Sequence, residues 1–198
     1  MFEEELSADP IEQFSRWFET ARAAGVQQPE AMALATTDSD GSPSVRFVLL
    51  KSWDAAGFTF FTNYESQKGT GLSSNPAAAL AIYWQLQGRQ VRVEGSAERV
   101  SDEDSDRYFQ SRPRGSQISA SISPQSRPVP SREWLRDAYR ALESSSQELP
   151  LERPAHWGGF RIVPSVIEFW EHQDSRLHDR VVYRRMAEGG WRRERLAP

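Results

Sequence analysis

The chain of 198 residues has no cysteine, and of its 24 basic residues only two, Lys51 and Lys68, are lysine. Without thiols there is no disulfide, thiolate nucleophile, iron–sulfur cluster or cysteine-based zinc site. Histidine is scarce too: three residues, at 156, 172 and 178, without HExxH spacing, leave little from which to build a catalytic metal centre. No run approaches the roughly 18 apolar residues of a membrane span. The acidic start MFEEELSADP lacks the basic and apolar segments of a signal peptide, so a cytoplasmic protein is expected. A formal net charge of −4 argues against a general nucleic-acid binder, which needs a basic surface, so any anion must be held locally. An arginine-biased codon supply explains why lysine is rare. It does not explain why these two positions stayed lysine.

What the chain does contain is enough apolar material, 38% of residues, for one good core, and a single domain over 1–198 is expected. In DPIEQFSRWFETARAAG, Asp9 suits an N-cap and Pro10 the first helical position. Ile11, Phe14, Trp17, Phe18 and Ala21 follow at helical spacing, and Gly25 is a stop, so a helix is predicted over 10–24. AMALATT, SVRFVLLK and FTFFTN, each bounded by turn formers, read as a β-meander. AAALAIYW and the alternating RQVRVEGSAERV continue the strands, and Ser101 with Asp104 forms a capping box for a helix to about 111. The proline- and serine-rich RPRGSQISASISPQSRPVP lacks the periodicity of a long element, so 112–130 is expected as an ordered functional loop and 1–8 as a flexible arm. Ser131 starts a further helix. GGFRIVP, VIEFWE, RVVYRR and WRRERL then return to strands. Strands resuming after a helical excursion, without βαβ alternation, imply a closed antiparallel barrel with peripheral helices.

Several polar groups stand out. Arg46 and Lys51 end an apolar strand, five residues apart and therefore on opposite faces unless the strand bends; they serve one ligand only with such a bend, and otherwise are two cations at strand ends. Ser66, Gln67, Lys68 and Gly69 sit at an apparent helix start, which suits either a phosphate or a solvated turn. Tyr108 and Arg112 lie i,i+4 at a helix end with Ser116 beyond the proline, and Gln90, Gln125 and Ser126 are polar groups in or beside strands and loops. Near the C-terminus, RLHDR gathers Arg176, His178 and Arg180 after the aromatic run EFW.

Together, MALATTDSDGSPSVRFVLLK, FFTNYESQKG, GRQVRVEG, YFQSRPRGSQISA, SPQSRP, HWGGFRIVP, IEFW, RLHDR and WRRERLAP resemble the pyridoxine/pyridoxamine 5′-phosphate oxidases, in the same order and from about residue 8 onward. RLHDR and RPRGSQ with SPQS are the specific parts. The resemblance implies a mainly β protein with peripheral α-helices, an antiparallel FMN-binding split β-barrel of Greek-key type, homodimeric, with FMN at the subunit interface. It implies flavin contacts from Arg46, Phe47, Val48, Leu49, Leu50, Lys51, Phe61, Thr62, Gln67, Lys68, Gln90, Gln125, Ser126, Trp170 and Arg180. Substrate contacts would come from Lys51, Tyr108, Arg112, Ser116, Arg176 and His178, the last two being catalytic. Trp84 and Trp170 are expected as exposed aromatics that a dimer would cover.

The implied reaction is oxidation of pyridoxamine or pyridoxine 5′-phosphate to pyridoxal 5′-phosphate, with O₂ as acceptor and H₂O₂ as product. Three features depart from the family's pattern. Gln67 stands where arginine is common, Phe61 where tyrosine is usual, and the sequence begins just before the first helix, without the arm that in the family closes over substrate. This leaves two other readings: a phenazine-biosynthesis flavin oxidase acting on dihydrophenazine-type tricyclic compounds in a more open pocket, and a non-catalytic flavin-binding split barrel. The phosphate-grasping SRPRGSQ speaks against the first of these.

Overall fold

The computed structural model describes residues 5–146 and 150–198. The first helix, α1 (Pro10–Ala23), starts as its sequence requires: an Asp9 carboxylate oxygen accepts from the Ile11 N–H (2.8 Å) and Pro10 needs no donor partner. Its apolar stripe, Phe14, Trp17, Phe18 and Ala21, is buried. Phe14 meets Phe58 and Trp53 edge-on at 5.0 and 5.2 Å, and Trp17 meets Phe169 at 5.1 Å. The helix thereby packs its aromatic face against the core of the sheet.

The strands are β1 (Ala31–Thr37), β2 (Pro43–Leu49), β3 (Ser52–Asp54), β4 (Gly57–Asn63), β5 (Ala77–Trp84), β6 (Arg89–Arg99), β7 (Trp157–Glu171), β8 (Asp179–Arg185) and β9 (Trp191–Arg195). They form one antiparallel sheet in the order β2-β1-β5-β6-β7-β4-β3, with β8 and then β9 added beside β7. Two expectations are corrected here. The early strands are two hairpins rather than a meander, because α2 (Gln67–Ser74) carries the chain from β4 to β5, leaving β4 to pair with β7 and β5 with β1. Among the described residues no ladder closes β2 onto β4, so the sheet curls into a half-barrel rather than a closed barrel. Its two ends are joined by the bend at Leu50 and Lys51, where the Lys51 N–H already donates to Thr59 O (2.8 Å).

GGFRIVP and VIEFWE are not separate strands but halves of the 15-residue β7. Pro164 is tolerated inside it because the facing strand shifts register between Glu94 and Gly95. The other helices are α3 (Asp102–Ser111), α4 (Arg114–Ile122) and α5 (Arg132–Ser145). α3 carries the expected cap, with the Asp104 N–H donating to Ser101 Oγ at 3.0 Å. α4 falls inside the stretch expected as a loop. It escapes detection because only Gln117 and Ile118 are buried, while Ser119 and Ser121 turn their hydroxyls back to main-chain carbonyls. Of the expected arm, residues 1–4 lie outside the described residues. Within residues 5–8, Leu6 is buried and the carbonyls of Leu6 and Ser7 accept from Arg193 and from the Tyr183 hydroxyl, while Glu5 and Ala8 are exposed. Trp84, expected at the surface, is in the core with its indole N–H on Pro29 O (2.9 Å). Among the described residues no helix is long and apolar enough to cross a membrane.

Candidate active site

The bend between β2 and β3, the end of β4 and the start of α4 enclose a cavity of about 550 Å³. One end is built around Lys68. Ser66 caps α2 by accepting from the Gly69 N–H, and the next turn directs the Lys68 side chain inward, where only 7% of the residue remains exposed. Its ammonium donates to Thr62 Oγ1 (3.0 Å), Ser66 Oγ (3.1 Å) and Gln125 Oε1 (3.3 Å), all neutral oxygens. Burial, and secondarily the nearby Arg46 guanidinium, push its pKa down to about 8. Arg46 likewise bonds only neutral groups, Thr36 Oγ1 (2.7 Å), Ser44 Oγ (2.8 Å) and the carbonyls of Leu34 and Ser44. Buried Lys68 and half-buried Arg46 thus have no carboxylate among their hydrogen-bond partners in the described residues. A buried charge in that state is stabilised by an incoming anion.

The opposite wall is aromatic. Phe61 and Tyr108 stack at 3.9 Å, and both rings lie nearly parallel to Trp157. The Arg112 guanidinium sits over Trp157 at 4.6 Å, and one of its terminal nitrogens, Nη1, is buried without a hydrogen-bond partner. Burial lowers the Arg112 pKa from its ordinary value. Ser116, on the first turn of α4, lines the same cavity. An orphaned donor beside a serine and a tyrosine is a second place prepared for an anion.

Of the residues singled out from the sequence, Phe47, Val48, Leu49, Lys51, Phe61, Thr62, Lys68, Tyr108, Arg112, Ser116 and Gln125 line this one cavity. Leu50 does not; its side chain is buried in the core. Gln67 is exposed on the rim, donating to the Asp38 carboxylate at 3.1 Å, and Ser126 is an exposed residue with φ +69°. Arg46 is not among the lining residues either, although its charge is felt by Lys68, and the remaining five lie elsewhere. Gln90, Trp170 and Arg180 are direct partners across β6, β7 and β8. The His178 ring lies 4.6 Å from that of Trp170. The Gln173 N–H donates to His178 Nδ1 (3.1 Å), which leaves the hydrogen of the neutral ring on Nε2. Arg176 projects from a turn in which it and Ser175 both have positive φ, 63° and 56°. Arg180 is held by Glu168 (2.8 Å), a buried carboxylate that also takes Arg92 (3.2 Å). Trp157 and Glu168 were missed from the sequence: a tryptophan at a strand start and a glutamate in an alternating strand give no local signal, and both act through side chains distant in sequence.

Residues 18–145 match the family model described as pyridoxamine 5′-phosphate oxidase, and residues 157–198 match the one described as the pyridoxine 5′-phosphate oxidase C-terminal dimerisation region. The chain is 52% identical over 196 residues to the pyridoxine/pyridoxamine 5′-phosphate oxidase of Cupriavidus pinatubonensis, covering 99% of this chain and 92% of that one. It is 50% identical to the chloroplastic pyridoxine/pyridoxamine 5′-phosphate oxidase 1 of Arabidopsis thaliana, covering all of this chain and 38% of that longer protein. In three dimensions it superposes on PhzG from Burkholderia lata, solved with tetrahydrophenazine-1-carboxylic acid, with a TM-score of 0.94, 32% identity, and coverage of 100% and 98% of the two chains. An FMN-binding protein from Nostoc punctiforme, 16% identical with a TM-score of 0.77, shares the fold. With both family models matched in order, and half of all residues identical to full-length oxidases, the chain belongs to the pyridoxine/pyridoxamine 5′-phosphate oxidase family.

Proposed function

We propose that this chain is an FMN-dependent oxidase that converts pyridoxamine or pyridoxine 5′-phosphate to pyridoxal 5′-phosphate, with O₂ as acceptor and H₂O₂ as product, acting as a cytoplasmic homodimer. The observation that carries the reading is a pair of anion-ready groups in one cavity, Lys68, whose ammonium has only neutral partners and feels the Arg46 charge, and Arg112 with its orphaned nitrogen. The first fits a flavin's terminal phosphate: three neutral acceptors orient the Lys68 ammonium, and a second cation stands behind it. Bound FMN supplies the hydride acceptor and passes the electrons to O₂.

The protein's own task is to hold and orient. Phe47, Val48, Leu49, Lys51, Phe61, Thr62 and Gln125 line the cofactor's side of the cavity, with the Leu50 main chain between them and Gln67 and Ser126 outside the lining. Tyr108, Arg112 and Ser116 take the substrate phosphate through charge-assisted hydrogen bonds, and Lys51 reaches in from the bend. Gln90, Trp170, Arg176, His178 and Arg180 come from the other subunit, so that Arg176 and the His178 Nε2–H pin the pyridine ring with C4′ facing the flavin. Arg180, already oriented by Glu168, supplies positive charge beside the flavin ring.

The superposition on PhzG favours a second reading, a reduced tricyclic phenazine as substrate. The orphaned Arg112 nitrogen favours the phosphate ester. Anaerobic stopped-flow separates them. Pyridoxamine 5′-phosphate should bleach the bound flavin, and Arg112→Ala should weaken that substrate by about 2 kcal/mol in kcat/KM while leaving unphosphorylated pyridoxamine as poor as before. Bleaching by a dihydrophenazine alone would replace the proposal with the second reading, and no bleaching by either would indicate a flavin carrier.

A further inference from the structure

The rim of the Lys68 pocket carries a carboxylate that the assignments above do not use. Asp38 closes the β1–β2 turn, its N–H donating to Ser42 O and its carbonyl accepting from the Gly41 N–H, both at 2.9 Å. Its side chain turns toward α2. One oxygen accepts from Gln67 Nε2 (3.1 Å), and the other lies 3.2 Å from where a Cβ on Gly71 would stand. Arg46 reaches toward the same turn through Thr36 and Ser44. The Asp38 charge raises the Arg46 pKa against the lowering effect of burial, and Arg46 in turn lowers that of Lys68. Carboxylate, guanidinium and ammonium are therefore electrostatically linked around one pocket.

Only the two cations favour an incoming dianion. A carboxylate within reach of Arg46 weakens the field that the pair presents, and Gln67, being neutral, satisfies one Asp38 oxygen without cancelling its charge. We propose that Asp38 sets the affinity of the pocket for the phosphate of the flavin, its negative charge opposing the dianion that Arg46 and Lys68 attract. Cofactor binding is thereby weaker than the two cations alone would make it. The inference rests on the flavin reading above and adds a residue that no flavin contact requires.

The test is titration of the flavin-free protein, followed by quenching of flavin fluorescence, with FMN and with riboflavin. Asp38→Asn should bind FMN roughly three- to tenfold more tightly, with the gain shrinking as salt screens the field, and should leave riboflavin affinity unchanged because riboflavin has no phosphate. Asp38→Ser, which also removes the charge, should shift FMN in the same direction and serves if Asp38→Asn misfolds. Unchanged or weaker FMN binding in both folded variants, or an equal gain for riboflavin, would overturn the inference while leaving the flavin reading intact. Failure of the parent and both variants to bind FMN would remove the flavin reading, and this inference with it.

Discussion

Lys68 shows how much one side chain depends on its surroundings. A lysine in water loses its proton only near pH ~10.4. Here burial first, and the Arg46 charge second, bring the value to about 8 in the flavin-free protein. The sign of the consequence follows. Below pH 8 the ammonium is already charged and a phosphate dianion binds without proton uptake. Above pH 8 the free pocket is neutral at Lys68, so binding must take up a proton, and the bound dianion in turn raises the Lys68 pKa. FMN affinity should therefore hold steady below about pH 8 and fall by up to roughly tenfold per pH unit above it. Fluorescence titrations across pH 6.5–9.5 (about the range in which a lysine so shifted changes charge) would measure this. A Lys68→Met variant should bind FMN more weakly at every pH and lose the dependence; a parent whose affinity stayed flat to the alkaline end would place the proton elsewhere. The sequence singled out Lys68 by rarity and by its place at a helix start. Its altered acidity was not legible there, because Thr62, Ser66, Gln125 and Arg46 arrive from separate segments.

Among the elements, β7 does the most positioning. It pairs with β4, β6 and β8, so Trp157 at its start and Trp170 at its end stand in different clusters of candidate residues. Its continuity depends on the register shift opposite Pro164, where a Cβ on Gly95 would lie 2.1 Å from Val163 O. The neighbour is main chain and cannot rotate away. Gly95→Ala should destabilise the fold by about 1–3 kcal/mol, lowering the calorimetric Tm by several degrees. Flavin affinity of the folded protein should be unchanged, since Gly95 does not line the cavity with Lys68. An unchanged Tm would mean that the bulge relaxes at no cost. Neither the continuous strand nor α4 was readable beforehand. A proline inside an apolar run looks like an end, and a helix that turns a serine-lined face to a cavity has no apolar stripe to betray it.

The proposed function requires the two clusters of candidate residues to meet in the assembled protein, since only one of them lines the cavity with Lys68. The outer face of the sheet suggests how. Val45, Phe47, Tyr83 and Leu86 are 69%, 79%, 57% and 69% exposed. Phe47 is registered through Ala33 and Ala81 with Arg92 and Glu168, and Tyr83 through Gln90 and Trp170 with Arg180. The apolar patch therefore runs directly into the Gln90–Trp170–Arg180 row, as a self-complementary interface that completes a site would. Val45→Arg, on that face but outside the cavity, should give a monomer by sedimentation velocity and reduce FMN affinity about tenfold or more, because the proposed contacts from Gln90, Trp170 and Arg180, including a charged one, leave with the second subunit. A monomer that kept its flavin would show that one chain's cavity suffices.

The local elements were set by neighbours in sequence: α1 by Asp9, Pro10 and its apolar stripe, α3 by its Ser101 cap, and the strands by alternation and turn formers. Such signals act within a few residues, so they can be read without a fold. The motifs RLHDR and RPRGSQ likewise carried the family in their own letters. The order of the sheet, the open seam between β2 and β4, and the division of the candidate residues into two groups came from elsewhere. They depend on which strand edges meet after the helices have carried the chain across. Desolvation and the approach of charges, which make Lys68 and Arg112 receptive to anions, exist only once those distant segments are packed together.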